Sequence, residues 1–226
     1  NNALTPIYTP SDDDVSTGSV VLTLTNNGLE SCDSVSDSYT INLIAQPTVD
    51  IFSDAGDSDV VTLCEDEMNY PLNNVNVQNV DQYLWSGGTG FSATNIANPT
   101  YTFTAADLSA GSVQLTLTGT NDTCGETATD VLTINFQRNP SVNTGLTTVV
   151  LCSSIDQYSI ATATASNTAN TVWTVTGGSG NFNTTTNLIA TYTPSPADRL
   201  GTNNPIIITL QGNPIAPCDI PVNDSF

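Results

Sequence analysis

The chain has 226 residues, with two basic and 22 acidic side chains, no histidine and a net charge of −20. Two arginines cannot neutralise a run of phosphates, which excludes nucleic acids and anionic membrane surfaces as partners. The lack of histidine removes the commonest general base, Ser–His triads and histidine-ligated metal sites.

Only 11% of the residues are charged, so the polar surface is mostly neutral. The recurring Val, Ile, Leu and Thr runs suit half-buried strands, and this is not the composition of a disordered chain. No apolar run approaches the roughly 18 residues of a membrane helix, so no membrane insertion is expected in this fragment.

In chain order, Tyr8-Thr9-Pro10-Ser11 comes first. Ser11-x-x-Asp14 is a capping box with Asp in place of the usual Glu, predicting one helical turn that Gly18 ends. Val20, Leu22 and Leu24 then alternate with other residues, which predicts a strand with one buried face. Asp37–Leu43 reads as a second strand, and Gln46-Pro47 closes the segment.

The next stretch holds Cys64, with Tyr70 six residues on, Leu72 eight and Trp85 twenty-one. A glycine cluster (Gly87, Gly88, Gly90), Tyr101, the box Thr104-x-x-Asp107 with Gly111, the alternation Val113, Leu115, Leu117, then Cys124 and Asp130–Phe136 follow. Asn139-Pro140 is the next boundary. The cadence then starts again with Cys152, Tyr158, Ile160 and Trp173 at the same six, eight and twenty-one residues. Gly177, Gly178 and Gly180, Tyr192, Ser195-x-x-Asp198, Ile206, Ile208, Leu210 and Cys218 follow. Here Leu200-Gly201 replaces the single glycine that ends the earlier turns.

Tyr8, Tyr101 and Tyr192 are thus 93 and 91 residues apart, and a period of that kind means tandem repeats. Residues 1–46 are read as the C-terminal half of a truncated immunoglobulin-like repeat. Residues 47–139 are read as a complete repeat, and 140–226 as a nearly complete one lacking its last strand. The fold class is all-β, tandem immunoglobulin-like antiparallel β-sandwiches. The array is expected to continue in both directions. Trp85 and Trp173 are placed in the core, the alternative being an exposed sugar-stacking platform.

The five cysteines follow the repeat. The expected bridges are Cys64 with Cys124 and Cys152 with Cys218, one per repeat, leaving Cys32 unpaired by truncation because its partner would lie upstream. Disulfides in an acidic chain without lysine point outside the cytoplasm. A metal site is the alternative for these thiols, but none sits in a C-x-x-C pair.

Three acidic clusters could hold an ion: Asp12-Asp13-Asp14, Asp54 with Asp57 and Asp59, and Glu65-Asp66-Glu67. Calcium takes six to eight oxygens, and Asp54, Asp57 and Asp59 form the preferred candidate. No other cofactor is implied. Asn121-Asp122-Thr123, Asn183-Thr184-Thr185 and Asn223-Asp224-Ser225 match the N-glycan sequon. No acidic pair recurs between repeats and no Gly-Lys-Ser/Thr follows the glycine runs, so no catalytic residue is assigned and the chain is read as not an enzyme.

Trp85-Ser86-Gly87-Gly88-Thr89-Gly90, Asn98–Thr104 and Gly111–Thr118 resemble a PKD-type immunoglobulin-like domain. The Tyr-Thr-Pro-Ser…Asp…Gly-Ser-Val…Leu-Thr-Leu…Cys cadence is similar to the repeats of very large surface adhesins of gliding Bacteroidetes, over essentially the whole chain. That resemblance implies export by type IX secretion, an extracellular, outer-membrane-associated location, and a role in cell adhesion or gliding motility. The expected function is a structural stalk. Its partners would be the neighbouring repeats, with surface polysaccharide or the secretion and motility machinery beyond them. The alternatives are a direct carbohydrate- or cell-binding module and spacer domains of an exported enzyme.

Overall fold

In the computed structural model, residues 5–28, 33–51, 59–201 and 205–226 are described. Three short helices start where the capping boxes predict. Helix α1 (Asp12–Thr17) leads into strands β1 (Ser19–Asn26) and β2 (Val35–Asn42), an antiparallel hairpin with Leu22 opposite Tyr39. Each helix is capped by the hydroxyl of Ser11, Thr104 or Ser195, with the carboxylate three residues on returning a bond to the cap backbone. Gly18 and Gly111 end the first two at φ 76° and 82°, the left-handed region that glycine enters without steric cost. In the third helix Leu200 stays right-handed and Gly201 takes the positive φ, which accounts for the extra residue there.

The second repeat contains β3 (Thr48–Asp50), β4 (Val60–Cys64), β5 (Asn69–Pro71), β6 (Asn76–Gln78), β7 (Gln82–Ser86) and β8 (Thr100–Thr102). Helix α2 (Ala105–Ala110), β9 (Ser112–Thr120) and β10 (Thr127–Gln137) complete it. One sheet runs β4-β10-β9-β7, and β3 pairs with β6 and β5 with β8. All of these pairs whose register is known are antiparallel except β4 with β10, which is parallel and sets Gln137 beside Cys64.

The third repeat follows the same plan: β11 (Ser141–Asn143), β12 (Tyr158–Ile160), β13 (Thr164–Ser166), β14 (Thr168–Thr176), β15 (Asn181–Phe182), β16 (Ala190–Thr193), α3 (Pro196–Arg199), β17 (Ile207–Pro214) and β18 (Val222–Ser225). Its sheets are β14-β17-β18, β12-β16-β15 and β11-β13. The expectation that its last strand is missing needs correcting in part. Val222–Ser225 already pair antiparallel with β17, because the residues from Val222 on repeat the beginning of β10.

The alternation predicted for β9 is borne out: Val113, Leu115 and Leu117 are buried, and Leu117 is 0% exposed. Trp85 (2% exposed) packs on Phe91, and Phe91 meets Tyr101 edge-on. Trp173 (1% exposed), Phe182 and Tyr192 form the same trio. Each indole N–H donates to a loop carbonyl, Ile96 O at 3.0 Å and Asn187 O at 2.9 Å. With a satisfied N–H and a buried ring, each tryptophan is a core residue, so the sugar-platform alternative falls. Tyr70 and Tyr158, six residues after the early cysteines, are half-buried.

By contact, the chain divides into two compact units that cut across the repeats. One comprises 1–59, 71–101 and 115–132, the other 60–70, 102–114 and 133–226. Each boundary between repeats lies inside one unit. Among the described residues no helix is long and apolar enough to cross a membrane.

Candidate functional site at the repeat junctions

The specialised chemistry of this chain gathers where one repeat meets the next. In the second unit the linker is Gln137-Arg138-Asn139. Glu65, next to the end of β4, holds it with both carboxylate oxygens: Oε1 accepts from the Asn139 amide at 2.8 Å and Oε2 from Arg138 Nη1 at 3.3 Å. Arg138 Nη2 also donates to Ser109 O at 3.2 Å. From the third repeat, Asn167 Nδ2 donates to Asn139 O at 3.2 Å. Asn167 sits between β13 and β14 at φ 54°, a left-handed conformation that Asn tolerates better than most residues.

The same device recurs in the first unit. Asn79, between β6 and β7 at φ 55°, donates from Nδ2 to Gln46 O at 3.1 Å. Two further details repeat. Asp130 accepts from the Ile51 amide and Asp224 from the Thr144 amide, both at 2.7 Å. A Cβ on Gly119 would lie 2.7 Å from Val80 and 2.8 Å from Val49, and one on Gly212 would lie 2.6 Å from Val142 and 2.8 Å from Thr168. Those separations are too short for real atoms, so glycine is what lets the first strand of each repeat lie against this backbone. Asn79, Asn167, Gly119, Gly212, Asp130 and Asp224 were not singled out as junction residues by their sequence. Their recurrence at the repeat spacing was the signal that could have found them.

The structure pairs the cysteines differently from the expected scheme. Cys64 is bonded to Cys218, with Cα atoms 4.9 Å apart, while Cys124 and Cys152 are unbonded and exposed. The reason is register. Cys64 lies opposite Gln137, at the end of β10, and Cys124 precedes Thr127, at its beginning. That is about 30 Å of strand, far beyond the roughly 7 Å Cα separation a disulfide can bridge. Cys152 likewise lines a cavity with Ile206 and Ile207 at the start of β17, whereas Cys218 lies beyond its end at Pro214. The bond therefore joins the second repeat to the third and does not close a loop within either. The Cys218 sulfur is 3.4 Å from Gln137 O and the Cys64 sulfur 3.2 Å from Asn139 Oδ1, so the staple lies against the linker itself. Cys32 is outside the described residues.

The acids have mainly structural work. Asp14 caps α1 and accepts from Tyr8 Oη and Ser11 Oγ, and those bonds hold its carboxyl below the usual range. Tyr192 Oη donates to the equivalent Asp198 at 2.8 Å and accepts from the Gly180 amide at 3.0 Å. Burial first, and that aspartate second, push the phenol up to about 12. Of the calcium candidates, Asp54 and Asp57 lie outside the described residues, and Asp59 precedes β4. No three His, Cys, Asp or Glu side chains are grouped as metal ligands among the described residues. The sequon at Asn121 is occupied by structure: its side chain is buried, donates to Asn79 O at 2.9 Å and accepts from the Thr123 and Cys124 amides.

No protein-family model and no curated protein matches the sequence. Among solved structures the chain is similar to the extracellular cadherin domains 1–4 of protocadherin gamma B7, with a TM-score of 0.51 and 14% identity, over 95% of this chain and 58% of that one. It therefore spans less than two thirds of that structure. The D00–D0 domain of intimin (TM-score 0.40, 10% identity, 79% of this chain and 97% of that one) and an endo-fucoidan hydrolase of glycoside hydrolase family 107 (0.26, 14%, 92% and 33%) match too loosely to carry an argument. At such identities the likeness shows the fold alone, and that fold is an all-β chain of immunoglobulin-like sandwiches.

Proposed function

We propose that these are structural stalk repeats of a large secreted cell-surface adhesin, exported to the outer-membrane surface and serving adhesion or gliding motility. One observation carries the reading: the distinctive polar residues are used to join repeats. The asparagine-to-linker bond is made at both junctions, from Asn79 and from Asn167, and a covalent bond crosses one of them. Arrays whose units contact only their neighbours grow by simple addition, and a junction closed by both hydrogen bonds and a disulfide suits a part that transmits load. Trp85 and Trp173, which a sugar-binding platform would expose, are instead buried in the cores.

The test has two arms. An in-frame deletion of residues 47–226 from the intact protein should leave it exported while adhesion or gliding is lost. The purified chain, applied to a glycan array, should be retained by no sugar. Retention on the array would replace the stalk with a direct binding module. A deletion that leaves adhesion and gliding unchanged would reject the proposal.

A further inference from the structure

The geometry points to Cys124 and Cys152 as the open halves of further inter-repeat disulfides: Cys124 takes a cysteine of the repeat on the N-terminal side of 47–139, and Cys152 one of the repeat following 140–226. Each repeat carries an early cysteine (Cys64, Cys152) and a late one (Cys124, Cys218). Among the described residues, the bond observed joins the early cysteine of one repeat to the late cysteine of the next. Applied in both directions, that rule leaves Cys124 and Cys152 unbonded here, as observed.

Local geometry supports the equivalence of each pair. Cys64 and Cys152 both open a turn closed by a hydrogen bond to their own carbonyl, from Glu67 N at 3.1 Å and Ile155 N at 2.9 Å. Cys218 and Cys124 both lie in the turn after the β9-type strand. There the Cys218 amide donates to Ile215 O at 3.1 Å and the Cys124 amide to Asn121 Oδ1 at 3.1 Å. Asn121 in turn donates to the carbonyl of Asn79, the residue that grips Gln46 of the preceding repeat. Cys124 is thus positioned at the first junction as Cys218 is at the second. Both free thiols are exposed, so each is open to a partner.

The chemistry is ordinary exchange. Two thiols, one on each repeat, and an oxidised disulfide donor of the exporting compartment react so that the new S–S bond forms, the donor's S–S bond breaks, and the donor leaves as two thiols carrying both protons and both electrons. The inference rests on the repeat array and is independent of what a stalk would carry.

The experiment is disulfide mapping of the intact protein, alkylated as it is harvested from its cells and digested without reductant. The expected result is Cys64 with Cys218, Cys124 linked to a peptide preceding residue 1, and Cys152 linked to a peptide following residue 226, with alkylation at Cys124 and Cys152 appearing only after reduction. Free, alkylated Cys124 or Cys152 would overturn the proposal, as would a bond from either to Cys32, to Cys64, to Cys218 or to each other. A bond to a second molecule, seen as a large species that collapses on reduction, would also overturn it. None of these outcomes decides the adhesion test.

Discussion

Val60-Val61-Thr62-Leu63-Cys64 and Thr148-Val149-Val150-Leu151-Cys152 are the same segment of two repeats, with the same turn after the cysteine, yet only the first is a strand. The difference lies in what runs alongside. β10 continues to Gln137 and pairs in parallel with β4, Phe136 lying opposite Leu63. β18 pairs with β17 over Val222–Ser225. The second segment has no strand partner among the described residues, leaves Val150 91% exposed, and borders a cavity of about 520 Å³ that also touches Phe226. Strand propensity measures fit to a neighbour more than a preference of the backbone, and the same apolar residues stay irregular without one. The cysteine shares that fate: Cys64 is fixed at the junction and bonded, and Cys152 is neither.

The strongest way to break the comparison is to make the second repeat resemble the third. Phe136 is buried, meets Phe103 edge-on at 4.8 Å, and lies in the stretch of β10 that pairs with β4. Phe136→Ala should cost about 3–5 kcal/mol, read from the denaturant midpoint. Hydrogen exchange in Val60–Cys64 should rise towards that of Thr148–Cys152. A small loss with β4 still protected would mean that the strand does not need its partner.

The next effect comes from the staple. Cys64 and Cys218 are 154 residues apart in sequence, for which chain-entropy arithmetic gives about 5 kcal/mol as a ceiling, with measured values more often about 2–5 kcal/mol. Replacing both with serine should lower the unfolding midpoint accordingly. In the isolated 226-residue chain, where Cys152 is exposed and unbonded, Cys152→Ser should stay within about 0.5 kcal/mol of the unsubstituted chain. Equal effects from the two would remove the distinction between the segments.

Much of this fold is legible in the sequence wherever the signal is local. Ser11, Thr104 and Ser195 each announce a helix start through a carboxylate three residues away. Val113, Leu115 and Leu117 announce a buried face by period two. Cysteine pairing is not local. It depends on the parallel register of β4 on β10, which no hydrophobic pattern encodes, so pairing each cysteine within its own repeat differs from the Cys64–Cys218 bond of the structure. The junction residues were hidden for another reason. Asn79 and Asn167 look like ordinary turn residues until a backbone at positive φ aims their amides at the preceding linker. Gly119 and Gly212 look like weak points in a strand until the neighbouring valines are in place.

The smallest expected effect concerns a feature that both repeats share. In the third repeat Asp224 accepts from the Thr144 amide at 2.7 Å and from its hydroxyl at 2.8 Å. The amide bond first, and the hydroxyl second, hold the carboxyl below its ordinary value of 3.8. A carboxyl whose pKa is lower in the folded state stabilises the fold fully above its unfolded pKa, and that contribution is lost as pH falls through the lower folded value. Stability should therefore be insensitive to this group near neutrality and decline below about pH 4. Asp224→Asn should lower stability at pH 7 while flattening that acid decline, since its amide carries no proton to gain. If the variant and the unsubstituted chain lose stability in parallel below about pH 4, the carboxylate at Thr144 is not what responds to acid.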